Sequence, residues 1–412
     1  MALVVQKFGG TSLADPDRIR AVADHIARTR RHGSEVVVVV SAMGKETDDL
    51  LHLASQVSRS QPARELAMLI TAGERKATAL LCMALHDLGL EADSFTGSQA
   101  GFITDTTHTR AKILEVRADR LRKALGDGRV PVVGGAQGVS VERDITFLGR
   151  NGSDTTAVAV SAALGADHCE LYTDVSGVFT ADPRLVPSAR RMPSVSFEEL
   201  LEMTATGCPK PAMRSVEFAR RHGVALHVRS SFTWEPGTWV REEAPPMEQA
   251  VISAVTSDTS EVKVTVLGVP DSPGVAARLF RPLADRDVNV DTIVQNVSVS
   301  DATGHGFTDI SFTVPRHDLD VALESCRESA VGIGAGAVMA DTDIAKVSLI
   351  GAGMKSHPGV SATMFEVLAG AGINIEMIST SAIRITCVVR GGSVERAVLA
   401  LHDAFELDHP VT

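Results

Sequence analysis

The chain has 412 residues, 44% of them hydrophobic and 22% charged, which suits two or three domains of ~150 residues, each with a substantial core. A net charge of −11 excludes a basic face for nucleic acid or an anionic membrane. Only 4% of the residues are aromatic, two Trp and one Tyr among them, which excludes a base-stacking platform.

The N-terminal MALVVQKFGG lacks the basic start and long apolar stretch of a secretion signal, and no apolar run reaches the ~20 residues that span a bilayer. Five dispersed cysteines (Cys82, Cys169, Cys208, Cys326, Cys387) fit neither a zinc site nor a disulfide scaffold, so a reduced cytoplasm is expected. Short β-branched runs at Val4–Phe8, Val36–Val40, Val130–Gly134, Cys169–Thr173 and Ala225–Arg229 predict strands. Amphipathic or alanine-rich stretches at Pro16–Arg30, Ala63–Leu88, Thr109–Leu125, Thr155–Leu164 and Phe197–Met203 predict helices between them. The five consecutive valines carry no polar alternation, as in a strand buried on both faces of a largely parallel sheet. The alternation of strand and helix predicts an α/β sandwich.

Proline, glycine and charge cluster at Trp234–Pro246, which marks a domain boundary. Beyond it the segment Pro273–Asp291 aligns without gaps on Pro358–Glu376, 85 positions later. Each copy follows a strand ending in glycine (Val264–Gly268, Val347–Gly351) and precedes two more, an order close to ferredoxin-like units packed as a pair. Asp-Ser-Pro-Gly and Ser-His-Pro-Gly stand where each repeat's helix begins, and free N–H groups there can hold a carboxylate. The repeat reads equally as an amino-acid sensor or as a structural dimerisation module.

Four motifs sit on strand ends, where open α/β sheets bind ligands. Lys7-Phe8-Gly9-Gly10 offers close backbone approach to an oxyanion beside a positive charge. Ser41-Ala42-Met43-Gly44 ends the next strand in the same manner. Gly149-Arg150-Asn151-Gly152-Ser153-Asp154 opens a helix with a cation able to grip a carboxylate bidentately. Tyr172-Thr173-Asp174, followed by a hairpin over Gly177–Arg184, presents polar residues to a nucleotide. Glu74, in Thr71-Ala72-Gly73-Glu74-Arg75, is either a solvated helix charge or a partner for an amino acid's ammonium. The histidines show no metal spacing, and His25, His32 and His222 read as solvated residues.

Together QKFGGTS, SAMG, TAGER, FTGSQAG, GR-x-GSDTTA, TADPR, LGVPDSPG, QNVS, GAGMKSHPG and NIEMISTS, in this order over essentially the whole chain, resemble an aspartokinase of the actinobacterial type regulated by lysine and threonine. The resemblance implies an α/β amino-acid kinase three-layer sandwich with a mainly parallel sheet, followed by two ferredoxin-like (βαββαβ) ACT domains. The corresponding division is 1–235 for the kinase domain, 236–260 for a linker, and 261–340 and 341–412 for the ACT domains. The implied reaction is phosphorylation of the L-aspartate side-chain carboxylate by ATP, giving 4-phospho-L-aspartate and ADP.

In that scheme Lys7 and Asp154 are the catalytic pair, Lys7 stabilising the phosphoryl group in transfer and Asp154 orienting the charged groups. Gly9, Gly10, Ser41, Thr173, Asp174, Thr180, Asp182, Arg184 and Lys210 contact ATP, whose phosphates Mg²⁺ bridges; no separate protein-held metal is implied. Thr47, Glu74, Arg150, Asn151, Gly152 and Ser153 hold aspartate. For the effectors lysine and threonine, Asp271, Gly274, Ala276 and Gln295 face Asn374 and Ile375 of the other repeat, with Ser381 nearby. Similar aspartokinases also make a separate C-terminal subunit, and Met247 is placed as such an internal start, giving either a homodimer or an α2β2 assembly.

The chain departs from the family's pattern at four places. The family's Gly-x-Lys, in the segment that closes over ATP, is here Gly207-Cys208-Pro209-Lys210-Pro211, with proline in the lysine's place. Proline fixes φ and donates no N–H, so either Lys210 reaches the phosphates by a different path or the site lacks that cation. Asn151 replaces a glycine, Ala136 a bulky aromatic, and Ala382 a glutamate near the effector site. These leave open a same-fold kinase for a related amino acid, or a catalytically weak amino-acid-sensing regulatory protein.

Overall fold

The structure is a computed structural model that describes residues 1–242, 251–295, 299–300, 306–352, 354, 357 and 359–409. The expected start at Met247 lies outside them. The chain forms two compact units: Met1–Phe179 with Arg191–Ala205 and Pro209–Pro246, and Met247–Thr412 with Thr180–Arg190 and Thr206–Cys208. No helix among the described residues is long and apolar enough to cross a membrane.

The first unit begins with β1 (Leu3–Phe8), α1 (Pro16–Arg31), β2 (Glu35–Val40), α2 (Glu46–Val57), α3 (Ala63–Ile70), α4 (Ala72–Asp87), β3 (Ala92–Phe95), β4 (Phe102–Thr104), β5 (Ile113–Val116), α5 (Asp119–Gly126) and β6 (Val130–Gly134). It continues through β7 (Gln137–Ser140), β8 (Ile145–Phe147), α6 (Gly152–Leu164), β9 (His168–Thr173), β10 (Ser194–Ser196), α7 (Phe197–Ala205), α8 (Met213–His222), β11 (Leu226–Ser230) and β12 (Thr238–Arg241). Eight strands form one sheet in the order β10-β12-β11-β9-β1-β2-β6-β3, parallel except where β11 meets β12. A small second sheet runs β5-β4-β7-β8.

The valine run behaves as its composition demands. Val36 to Val40 are all 0% exposed. Val36, Val38 and Val40 pack against Val22 and Ile26 of α1 and Leu81 and Leu85 of α4, and period-two alternation sends Val37 and Val39 to the other face. There α6 lies against β1, β2 and β9, buried without a break from Gly152 to Ser161.

Three expectations need correction. The helix expected over Ala63–Leu88 is two, because the Thr71 hydroxyl donates to Ala67 O at 2.9 Å and competes with the backbone ladder at the break. Within Thr109–Leu125 only Asp119–Gly126 is helical; Ile113–Val116 is drawn into a ladder with Phe102–Thr104. After β9 the expected hairpin is a single bridge between Phe179 and Arg191. The residues between them leave the first unit, and Ala181 and Val186 are buried in a core with Val255, Leu349 and Leu401 of the second.

The second unit contains β13 (Val251–Asp258), β14 (Glu261–Pro270), α9 (Val275–Ala284), β15 (Asp291–Gln295), β16 (Val299–Ser300), β17 (Gly306–Pro315), α10 (Leu319–Ile333) and β18 (Val338–Asp341). Then come β19 (Ile344–Ala352), α11 (Gly359–Gly370), β20 (Met377–Thr380), β21 (Arg384–Arg390) and α12 (Val394–Ala404). The first repeat's sheet is β15-β17-β14-β18, with β16 paired to β17; the second is β20-β21-β19-β13. Val251–Asp258, expected in the linker, is therefore a strand. It fills in the second repeat the place that β18 fills in the first, so the first repeat is inserted between a strand of the second and the remainder.

The two repeats meet through reciprocal charges. Lys346 of β19, 2% exposed, pairs with Asp291 at 2.6 Å and with Glu261. Lys263, at the matching position of β14, pairs with Glu376, the counterpart of Asp291 in the repeat. Val294 packs beside Ile344, Met377 and Val388.

His25 is not the solvated residue expected. It stacks on Trp234, with ring centroids 4.1 Å apart, and its Nε2 lies 2.6 Å from the Tyr172 hydroxyl. Burial, outweighing the nearby Glu170 charge, lowers its pKa from 6.5 to about 4. An unfolded histidine binds its proton near 6.5, so stability is full above that pH and is lost as pH falls towards 4. The decline in melting temperature between those pH values, followed by circular dichroism, is expected to be shallower in His25→Phe. Parallel curves for variant and wild type would refute this.

Candidate active site

Parallel register levels four strand ends side by side. Phe8 pairs with both Val40 and Tyr172, and Val40 with Gly134. The chain therefore turns out of the sheet together at Gly9, Ser41, Thr173 and Gly135. Backbone bonds stitch the tips: Gly9 N to Tyr172 O at 3.2 Å, Ser41 N to Phe8 O at 3.1 Å, Gly44 N to Gly10 O at 2.9 Å and Gly135 N to Val40 O at 2.8 Å. A Cβ on Gly10 would lie 2.8 Å from Gly44 O, so only glycine permits this approach.

The tips enclose a cavity of about 250 Å³. Its wall includes Lys7, Gly9, Gly10, Ser41, Thr47, Glu74, Arg150, Asn151, Gly152, Ser153, Thr173, Asp174 and Lys210. Lys7 Nζ lies 2.6 Å from Asp154 Oδ1, both side chains almost fully buried, and Asp154 Oδ2 accepts from Ala212 N at 3.3 Å. The Ser41 and Ser153 hydroxyls bond at 2.8 Å, and Thr173 Oγ1 donates to Asp174 Oδ1 at 2.8 Å. The first turn of α6 opens on the wall through Gly152 and Ser153, so its positive dipole end lies at the space; Gly152 N donates to Gly149 O and Asp154 N to Asn151 O, each at 3.1 Å.

Glu74 is 3% exposed at the start of α4. Gly73 lets the helix come in close, since a Cβ there would stand 2.7 Å from Ala42 Cβ. Glu74 Oε1 accepts from Ala42 N at 3.3 Å, and its Oε2 is buried without a hydrogen-bond partner. Burial pushes this carboxyl from 4.5 up to about 7. Lys210 stands on the wall with Nζ 3.2 Å from Asn151 Oδ1, so of the two possibilities for the altered segment the structure has the one that keeps a cation.

Arg150, on the wall, is 76% exposed by side chain and pairs with Asp48 at 2.5 Å. Not every expected residue lines the cavity. Thr180, expected at ATP, is buried in the second unit with its hydroxyl 3.0 Å from His402 Nε2. Asp182 and Arg184, in the same stretch, pair with each other at 2.6 Å and do not line the cavity. Sequence reasoning missed Thr11, Lys45 and Asp48 on the wall. It also missed Arg214, which donates to Leu148 O at 2.7 Å and Ala111 O at 2.9 Å and so pins the loop carrying Arg150 and Asn151; an arginine in a helix gives no sign that carbonyls will converge on it.

In the second unit a cavity of about 260 Å³ is lined by Met354, Ser361, Thr380, Ser381, Ala382 and Ile385. Of the effector candidates Ser381 lines it. Gly274 (φ +89°) caps α9, with Asp271 before it and Ala276 inside the first turn. Gln295 ends β15, and Asn374 and Ile375 precede β20.

Glycine turns, a helix N-terminus and a buried lysine at the carboxyl edge of a parallel sheet define a cleft built to hold phosphate and carboxylate groups. Residues 2–230 match the Amino acid kinase family, and residues 262–329 and 347–405 match the ACT domain. The chain is 56% identical over 410 residues to an aspartokinase of Mycolicibacterium smegmatis, covering 99% of this chain and 97% of that one. It is 44% identical to a crystal structure of aspartate kinase from Synechocystis, with a TM-score of 0.55, covering all of this chain and 70% of that one. The crystal structure of E. coli aspartokinase III in complex with aspartate and ADP, 24% identical, has the same fold at a TM-score of 0.82, covering 98% of this chain and 99% of that one. The chain belongs to the aspartokinase family.

Asn151 caps α6 in the left-handed region, at φ +59°. Asparagine visits that region readily, whereas alanine pays about 1 kcal/mol or more for it. Urea unfolding is expected to show a loss of that order in Asn151→Ala and none in Asn151→Gly; equal stability of all three proteins would show the turn to be unstrained.

Proposed function

We propose that the chain transfers the γ-phosphoryl group of Mg-ATP to the side-chain carboxylate of L-aspartate, giving 4-phospho-L-aspartate and ADP. The observation that carries this is the buried Lys7–Asp154 pair at the head of a glycine-walled cavity. A carboxylate is already a nucleophile at neutral pH, so the protein need only align it and neutralise charge. One carboxylate oxygen bonds to the γ-phosphorus as the bond to the β–γ bridging oxygen breaks, and ADP leaves with that oxygen's electron pair.

Lys7, held by Asp154, meets the charge on the group in transfer, and the backbone around Gly9 and Gly10 cradles its oxygens. Ser41, Thr173, Asp174 and Lys210 hold the nucleotide. Glu74 takes the substrate's ammonium, with Thr47, Ser153 and the α6 amides beside it. Arg150 would leave Asp48 for the α-carboxylate, which its exposure allows. Asp174 supplies an oxygen donor of the kind magnesium takes beside phosphate oxygens; when bound, the ion neutralises phosphate charge.

The paired ACT repeats support feedback regulation by lysine and threonine, with Ser381 on the wall of the second repeat's cavity. A homodimer, or an α2β2 assembly using a fragment from Met247, is the matching quaternary state. Four buried, free cysteines are consistent with a reducing cytoplasm.

A coupled assay should show ADP release that needs both L-aspartate and Mg-ATP. Lys7→Ala should lower kcat by at least about 10²–10³, the scale of losing one donor to developing charge; full turnover in that variant would defeat the proposal.

Glu74 gives a second measurement. With its pKa at about 7, lowering the pH through 7 protonates it and removes the charge that attracts an ammonium. KM for aspartate should therefore rise from pH 8 to pH 6, and Glu74→Gln should have a high, pH-independent KM. A KM as low in the variant as in the wild type would remove Glu74 from the substrate's contacts.

A further inference from the structure

The cavity at the strand tips is polar on nearly every side, and the exception is local. Among the described wall residues only Ala42, Ala136 and Phe147 carry hydrocarbon side chains. Ala42 stands apart, against Gly73. Ala136 and Phe147 are both buried and belong to one apolar cluster with Ala67 and Ile70 of α3, which backs this part of the wall. The corner is held rigidly. Ala136 N donates to the Thr156 hydroxyl at 2.9 Å, and Ala136 O accepts from Leu148 N at 2.8 Å. Its φ is +57°, a conformation that glycine adopts freely and alanine only at a cost, so a methyl group stands where its absence would be easier.

The neighbours of this corner fix its place. A Cβ on Gly134 would lie 3.4 Å from Glu74 Cβ, and one on Gly135 2.6 Å from Ser153 Cβ. The Ala136 Cβ is 3.1 Å from where a Cβ on Gly152 would stand. The stretch Gly134–Ala136 thus runs from the carboxyl assigned to the substrate's ammonium to the head of α6. An amino-acid acceptor held at both ends lies across it, with the carbons between its charged groups at Ala136 and Phe147. Aspartate offers only a methylene there. Neither side chain can hydrogen-bond a water, so an alkyl group that displaces one gains affinity.

We propose that Ala136 and Phe147 form an apolar subsite at the acceptor's β-carbon, with Ala136 determining specificity, and that the chain also phosphorylates L-aspartate carrying a methyl group on that carbon. The inference rests on reading the cavity as the site of Mg-ATP and aspartate. The step is the same: an oxygen of the side-chain carboxylate bonds to the γ-phosphorus, the bond to the β–γ bridging oxygen breaks, and ADP leaves with that electron pair.

The test uses the full chain and Mg-ATP in the coupled ADP-release assay, with L-aspartate and each diastereomer of β-methyl-L-aspartate as acceptors. One diastereomer should have a KM about fourfold below that of aspartate, the equivalent of one buried methylene. The other, its methyl turned from the corner, should have a kcat/KM at least about tenfold below the first. Ala136→Leu fills the corner without branching at Cβ. It should lower kcat/KM for the favoured diastereomer at least about tenfold more than for aspartate, whereas a merely structural disturbance lowers all three alike. The diastereomer comparison needs no variant and decides the matter should Ala136→Leu not fold. Equal kcat/KM for the two diastereomers, or an equal loss for all acceptors in Ala136→Leu, overturns the proposal. Phosphorylation of aspartate with neither methylated form accepted overturns it too and leaves the reading of the reaction standing. A methylated acceptor phosphorylated where aspartate is not sinks the aspartate reading and upholds the subsite. No phosphorylation of any of the three overturns both.

Discussion

Lys7 and Asp154 lie 2.6 Å apart and almost wholly out of water, and the architecture around them follows from what that arrangement costs. Taking two charges out of water is expensive, and their attraction repays it only when geometry and remaining hydrogen bonds are good. Here the geometry comes from rigid elements. Lys7 is one residue short of the end of a central strand, and Asp154 sits in the first turn of a helix buried from Gly152 to Ser161. Removing either partner would strand the other at a cost of about 3–5 kcal/mol. An apolar pair would fill the space more cheaply. The pair is intelligible as a charge held ready, with the strand tips and the positive end of the helix dipole completing a surface that welcomes an anion.

The register of the sheet does the rest. Because β9, β1, β2 and β6 are parallel and level, four chain segments leave the sheet at one height, and Gly9, Ser41, Thr173 and Ala136 share one wall. Glycine is needed where two of these segments touch, at Gly10 against Gly44 and Ala42. Glu74 reaches the same wall because Gly73 lets α4 approach the tip of β2, and the enclosure that results raises its pKa. A carboxyl poised near neutrality is thus a by-product of how closely the helix packs.

Much of this was legible in the residues. Five valines in a row announced a strand buried on both faces, and glycine corners after hydrophobic runs announced the tips. The breaks were less legible: nothing in Ala63–Leu88 marks Thr71 as the point where a hydroxyl competes with the ladder, and Ile113–Val116 becomes a strand only because Phe102–Thr104 lies beside it. Long-range partnership also decides His25, whose helical spacing suits solvent until Trp234 and Tyr172 close around it. The same blindness affects topology. Val251–Asp258 lies far from β19 in sequence, so its place in the second repeat's sheet cannot be seen along the chain. Thr180, Asp182 and Arg184 follow the nucleotide motif directly, yet their stretch belongs to the second unit, where Thr180, Ala181 and Val186 are buried.

Two departures from the family's pattern turn out to be neighbours. Asn151 stands where a glycine is usual and Lys210 stands one position late, and in the fold Lys210 Nζ is 3.2 Å from Asn151 Oδ1. Each change answers a difficulty raised by the other. A lysine displaced by Pro209 gains from an anchor that directs its ammonium to the cavity wall, and the Asn151 amide oxygen accepts a hydrogen bond from it there. An asparagine at φ +59° needs to be tolerated in the left-handed region, and among residues with a Cβ it is one of the few that are. The position that requires glycine-like backbone therefore accepts the one kind of side chain able both to adopt the turn and to hold the shifted cation. The altered segment keeps its positive charge on the wall by moving the lysine and its support together.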